Sequence, residues 1–400
     1  MKNFLSMAAL ALMGAMMTGC SSDDNFDNPQ QPENASKVVT LTTTVGFDAS
    51  ASNRALTIDG TKGVKTFAVD DQIAVVYKKK TGGATAVAVS EKLTTTDIAS
   101  GSKSATFTVT LDDPDKDQDV TYIYPAAMAK ADGSVNYDAL ATQDGTLATL
   151  GSTLDLCTNS GAWSSDNLPS LALENQLAIL AISLKNTTDI TSTITGMTVS
   201  DGTNTYTVSR SAAAGPIYVA IQPVASQNIE VTATDGTDEY VKSLSGKTYD
   251  ANKGYNVTWN MSKLTKVTWN STNVFNNSHQ NDHLNKFKMT PLTYEGITIS
   301  FNGSGAASDF SPYQAGRGIA SLFCSGNQGG VFTFTAPSGK KFYKVEIINN
   351  SNIQFTAYGD WTRPENTKIV WRGTPASTVT LGGSNNTSAG DLNSIVFTVY

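Results

Sequence analysis

Ala105-Thr106-Phe107-Thr108-Val109-Thr110-Leu111 alternates apolar and threonine side chains without a break. Successive side chains of an extended chain point to opposite faces. A period of two therefore buries Ala105, Phe107, Val109 and Leu111 and turns the threonines to water. Ile73, Val75 and Tyr77 repeat the pattern, as do Val120, Tyr122 and Tyr124. Further on, Tyr255, Val257, Trp259 and Met261 alternate with Asn256, Thr258 and Asn260. Leu177-Ala-Ile-Leu-Ala-Ile182 is apolar on both faces and runs directly into a polar turn, which suits a strand inside a sandwich better than a helix. Helical periodicity is confined to one or two short stretches within residues 134–151. The expected fold class is all-β.

Composition narrows the function. Of the 400 residues only 16% are charged, and the formal net charge is −7. The only basic cluster, Lys78-Lys79-Lys80, is short and sits at a strand end, so a nucleic-acid partner is not expected. Turn clusters divide the chain into blocks at 37–166, 167–264 and 265–400, the first closed by a polar loop starting at Cys157. The last block is richer in Gly, Asn and aromatics. Its short strands, at Gly296-Ile-Thr-Ile-Ser-Phe, Gly330-Val-Phe-Thr-Phe-Thr, Phe342-Tyr-Lys-Val-Glu-Ile-Ile, Ser377-Thr-Val-Thr-Leu and Ser394-Ile-Val-Phe-Thr-Val-Tyr, suggest a sandwich or jelly roll.

The N-terminus carries an address. Lys2 precedes an apolar run from Phe4 to Met17, the layout of a secretory signal over residues 1–19. It ends in Met17-Thr18-Gly19-Cys20, which resembles a bacterial lipobox. That resemblance implies cleavage before Cys20, acylation of its sulfur, and a firm membrane anchor. Ser21-Ser22-Asp23-Asp24 resembles the export tag that sends Bacteroidetes lipoproteins to the outer face of the outer membrane. Residues 20–36, with Pro29, Pro32 and adjacent glutamines, read as a solvated tether.

Residues 38–264 resemble the fimbrillins, subunits of Bacteroidales type V pili. The matching elements are the lipobox, Arg54-Ala55-Leu56-Thr57, Thr66-Phe67 followed by Asp70-Asp71-Gln72-Ile73-Ala74-Val75, Tyr122-Ile-Tyr-Pro125, and Gly254-Tyr255-Asn256-Val257-Thr258-Trp259. The resemblance implies two tandem β-sandwich domains of transthyretin-like topology. It also implies trimming after an arginine, here Arg54 with Ala55 as the new N-terminus. Trimming removes the first strand, and a strand from the next subunit fills the groove. In this chain Val39, Leu41, Thr43 and Val45 alternate with Thr40, Thr42 and Thr44, so residues 38–47 are expected as an edge strand whose loss invites β-augmentation.

The third block departs from that pattern. It implies a tip or accessory subunit, or an adhesin, with a third β-sandwich or jelly-roll domain as its binding end. Partners would be the outer membrane, other fimbrillin-like subunits, and host or dietary glycans or a host surface protein. Sugars stack on aromatic rings while polar side chains satisfy their hydroxyls. Tyr358-Gly-Asp-Trp361-Thr-Arg363 and Tyr313 near Arg317 are the candidate ligand residues, although Trp361 also suits a structural place. The alternative reading is a standalone glycan-binding outer-membrane lipoprotein that captures polysaccharide and never polymerises.

Catalysis, cofactors and metals are not expected. His279 and His283 are the only histidines, in a polar loop with no third ligand. Asp113, Asp115, Asp117 and Asp119 alternate like a calcium loop, but Gln118 and Tyr124 stand where its glycine and glutamate belong. Gly246-Lys247-Thr248 lacks the first glycine of a phosphate loop, with Val241 in its place. Cys157 and Cys324 read as two buried thiols.

Overall fold

The computed structural model describes residues 38–47, 57–59, 62–64, 66–164, 166–303, 308–324, 330–382 and 387–400. The chain is nearly all β. Its first sheet has seven strands, in the order Thr85–Val89, Ala74–Lys78, Asp119–Tyr124, Cys157–Ala162, Leu171–Asn175, Val38–Phe47 and Ser104–Asp112. Ala105, Phe107, Val109 and Leu111 are at most 1% exposed, as their alternation requires. They pack on an aromatic cluster in which the Phe67 ring lies 4.2 Å from Phe47, 5.3 Å from Phe107 and 5.5 Å from Tyr124.

A second pair of sheets follows. Ala178–Lys185 is the middle of a three-stranded sheet, antiparallel to Ile217–Ile221 and parallel to Lys253–Asn260. Its burial on both faces explains the unbroken apolar run and confirms a strand. The facing six-stranded sheet has the long hairpin Val224–Thr234 and Glu239–Tyr249 at its heart, flanked by Gly196–Ser200 and Thr205–Ser209.

The chain crosses the expected 166/167 boundary in both directions. Leu171–Asn175 pairs in the first sheet, between Val38–Phe47 and Cys157–Ala162. Conversely, the helical turns at Tyr137–Ala141, Leu147–Thr149 and Leu150–Leu154 place Leu140, Leu150 and Leu154 in the second core, and Thr142–Gln143 joins its six-stranded sheet. Gln143 fixes this crossing by donating to the carbonyls of Leu140 and Ala220, both at 2.8 Å, and accepting from Ala220 N at 2.9 Å. The polar stretch read as a closing loop is instead the strand Cys157–Ala162, followed by the buried Trp163. Its Thr, Asn and Ser residues pair with a neighbour strand, and polar composition alone does not distinguish that from a loop.

The third pair comprises a nine-stranded and a four-stranded sheet. Thr387–Val399 is the keystone of the larger one. Its first half pairs with Ile319–Cys324 and Gln354–Phe355, and its second half with Thr265–Asn270 and Phe342–Asn349. Trp269, Phe310, Phe332, Phe334, Phe342 and Phe397 are each fully buried between the layers. Where this unit meets the second, Arg372 Nη2 donates to Glu230 Oε1 at 2.6 Å and lies over the Tyr343 ring, 4.3 Å from its centroid. The Tyr343 hydroxyl donates to the same carboxylate at 3.2 Å, and burial followed by the nearby Glu230 charge pushes its pKa up to about 12. Lys344, Lys266, Glu239 and a row of threonines line a cleft of about 440 Å³ beside this contact. Among the described residues no helix is long and apolar enough to cross a membrane.

Candidate strand-exchange site

The opening strand Val38–Phe47 is built on two kinds of pairing. It runs antiparallel to Ser104–Asp112 from Val38↔Asp112 to Gly46↔Ser104. At its far end it runs parallel to Leu171–Asn175 through Val45↔Leu171, Gly46↔Ala172 and Phe47↔Leu173. Residues 45–47 are therefore interior, while residues 38–44 pair on one side only, like the edge strand that the sequence suggested. Alternation reports which face a side chain occupies but not which strands lie alongside, so this neighbour could not be read in advance.

The inward residues are those expected. Val45 is 0% and Thr43 3% exposed, while Val39 and Leu41 are half-buried against the same core. Burial thus tightens along the inward face, from half-buried Val39 and Leu41 to Thr43 and Val45. Polar groups hold the tight end. Thr43 Oγ1 donates to the Pro169 carbonyl at 2.8 Å, Tyr122 OH donates to the same carbonyl at 2.8 Å, and Ser170 Oγ donates to the Thr44 carbonyl at 2.7 Å. Burial pushes the Tyr122 hydroxyl up to about 12, opposed by its hydrogen bond to Thr43, so it stays a donor at any physiological pH.

Withdrawing Val38–Phe47 would leave unpaired backbone along Ser104–Asp112 and at Leu171–Leu173, with an apolar trough between them. Sequence reasoning missed Pro169, Ser170 and the Leu171–Asn175 strand, which form the far wall. No local signal ties them to residue 45, because that pairing spans more than a hundred positions. Arg54, Ala55 and Cys20 lie outside the described residues.

The candidate ligand residues of the third unit do not form a surface platform. Trp361 is 2% exposed, and its indole N–H donates to the Thr380 carbonyl at 2.8 Å. Tyr358 is half-buried, its hydroxyl accepting from Gly382 N at 2.7 Å. Both side chains thus bond to the Thr378–Gly382 strand of the opposite layer, and the Trp361 ring is closed to solvent. Arg363 bonds Asn366 Oδ1 at 2.9 Å. Tyr313 lies apart from them, half-buried on Asp309–Gln314. The turn residues around Gly359 suggested a loop, yet Trp361 begins a strand whose alternation carries it inward.

His279 Nδ1 lies 2.8 Å from Asp282 Oδ2, and His283 Nε2 lies 3.0 Å from the Gln280 carbonyl. Among the described residues no cluster of three or more His, Cys, Asp or Glu gathers to hold a metal. Cys157 and Cys324 are buried and form no disulfide with each other, and burial pushes Cys324 up to about 12.

No protein-family profile matches the chain, and no curated protein matches it. Among solved structures, the chain is similar to a fimbrial assembly protein from Parabacteroides distasonis, at 12% identity and a TM-score of 0.32, covering 57% of this chain and 94% of that one. It is similar to a candidate cell adhesion protein from Bacteroides ovatus at 12% identity and TM-score 0.32, covering 57% and 96%. Another from Bacteroides uniformis gives 13% identity and TM-score 0.31, covering 58% and 97%. The chain is thus similar, at low identity, to fimbrial and adhesion proteins of the Bacteroidales.

Proposed function

We propose that this protein is a surface-exposed, fimbrillin-like lipoprotein that acts in cell adhesion as a tip or accessory pilus subunit. It is anchored through Cys20 to the outer membrane and assembles by strand exchange after cleavage between Arg54 and Ala55. The observation that carries the reading is the place of Val38–Phe47. It is the last described strand before Arg54, and its departure would open a trough flanked by Ser104–Asp112 along its length and by Leu171–Leu173 at one end, both able to accept a replacement. Thr387–Val399 supports the tip assignment. A strand committed on both sides within its own sheet is not free for donation, which favours a subunit that accepts a strand over one that donates this segment.

The test is N-terminal sequencing and intact mass of the protein shed from the cell surface, for the natural chain and Arg54→Ala. The expected result is a mature N-terminus at Ala55, filaments that label with antibody to residues 265–400 at their ends, and neither in the variant. An uncut chain that still carries its lipid overturns the assembly mechanism. Polymers joined through residues 387–399 overturn the tip assignment.

A further inference from the structure

Phe323 occupies the wrong phase of its strand for a core residue. In Ile319–Cys324 the core side is taken by Ala320, Leu322 and Cys324, at most 2% exposed, while Phe323 shares the outer side with Ser321 and is 39% exposed. The neighbouring strands set its surroundings. Asn285 pairs with Asp309, Asp309 with Phe323, and Phe323 with Ser388, so one row of the outer face reads amide, carboxylate, ring, hydroxyl. At about 4.8 Å per strand, that row is about 14 Å long.

The next row adds Gln314, which donates to Ser321 Oγ at 2.9 Å, and Arg317 in the hairpin turn. Both strand pairs shift register here, between Ser311 and Gln314 and between Ala320 and Leu322, which re-aims side chains on this face. Asp309, Gln314, Arg317, Ser321, Phe323 and Ser388 line a groove of about 360 Å³. Gly390 lies on its floor, and a Cβ there would meet nothing within 4 Å. Asp309 turns Oδ1 toward Asn285 and His283, at 3.4 and 3.7 Å, leaving Oδ2 without a partner among the described residues. The Arg317 guanidinium likewise has no partner among them. Phe287, 85% exposed, stands in the turn that follows Asn285 at the rim.

We propose that this face binds a neutral oligosaccharide, with Phe323 stacking on the apolar side of a sugar ring. Asp309 accepts hydrogen bonds from its hydroxyls, and Arg317 and Gln314 donate to them. An exposed ring flanked by open donors and acceptors matches the two-sided chemistry of a pyranose. One carboxylate and one guanidinium leave the groove without net charge, which favours a neutral ligand over an anionic one. Gly390 leaves room for the ring to approach the sheet. This inference rests on the reading of the third unit as the adhesive end, and it locates that end on a different face from Tyr358 and Trp361.

The test is titration calorimetry of the full-length chain against cellohexaose, xylohexaose, mannohexaose and lacto-N-neotetraose. At least one is expected to bind, with affinity falling about tenfold or more in Phe323→Ala and surviving in Phe323→Trp. Gly390→Val, which fills the floor without touching the core, is expected to abolish binding while leaving thermal unfolding unchanged. Val89→Ala, at an exposed position of the first sheet, is expected to change nothing. Absence of binding to all four sugars, or binding that survives both Phe323→Ala and Gly390→Val, overturns the proposal. So does concentration-dependent self-association that Phe323→Ala removes, since the face would then be a contact between copies. A chain that is trimmed at Arg54 but binds no sugar refutes this site alone, and one that binds sugar but is never trimmed refutes the assembly mechanism alone.

Discussion

Thr43 and Tyr122 share one acceptor: both hydroxyls donate to the Pro169 carbonyl at 2.8 Å, from the opening strand and from Asp119–Tyr124. Residues far apart in sequence thereby hold the mobile candidate, Val38–Phe47, to the wall behind it. Thr43→Val and Tyr122→Phe each leave the carbonyl one donor and are expected to cost about 1 kcal/mol. The double variant orphans the carbonyl and is expected to lose more than the two costs combined. Thermal unfolding of all four chains measures the coupling, and simple additivity would show that the shared acceptor does not matter.

Trp361 is a fastener between layers. Trp361→Phe keeps most of the ring but leaves the Thr380 carbonyl without its donor and a small void beside it. The expected loss is about 1–3 kcal/mol in stability, with oligosaccharide affinity unchanged. Unfolding and calorimetry on the same preparation separate the two effects.

Glu346 gives the third unit an acid-sensitive ion pair. Burial would raise its pKa, but Lys344 at 2.9 Å and Lys368 at 3.3 Å overcome that and hold it below the ordinary value of 4.5. A carboxylate with a depressed folded-state pKa adds stability that is present above 4.5 and lost as pH falls through the folded value. Glu346→Gln is therefore expected to lower the unfolding midpoint at pH 7 and to flatten its decline below pH 4.5. The two chains should converge in strong acid. A constant gap across the whole range would rule out the ion pair as the cause.

Arg372 and Glu230 join the second and third units. Both side chains are more than a third exposed, so their coupling is expected at only about 0.5–1 kcal/mol and to shrink in high salt. A double-mutant cycle on Glu230→Ala and Arg372→Ala, with Tyr343 intact, reads it directly.

The strands were legible because their chemistry is local. Alternation from Ala105 to Leu111 and from Tyr255 to Met261 fixes which side chains face the core, and the structure follows it. Neighbour relations were not legible. Nothing in Val38–Phe47 says that Leu171–Leu173 lies beside it, and nothing in Leu140 or Gln143 says that they serve the second core. Trp361 takes the structural place its sequence allowed, but not in the expected loop: Gly359 and Asp360 announce a turn, whereas the ring belongs to the strand that follows. Phe323 carried a readable sign, an aromatic in step with Ser321 and out of step with Leu322 and Cys324, in a stretch where the loops drew the attention.

A keystone strand at residues 387–399 also sets an order of events during biosynthesis. Thr265–Asn270 is synthesised well over a hundred residues before the segment it must pair with. The larger sheet of the third unit cannot close until residues 387–399 have been made, whereas the sheets before it draw only on strands already synthesised. Nonsense mutations that clip this stretch would therefore yield a polypeptide whose first two cores are complete and whose third lacks the strand that ties its larger sheet together.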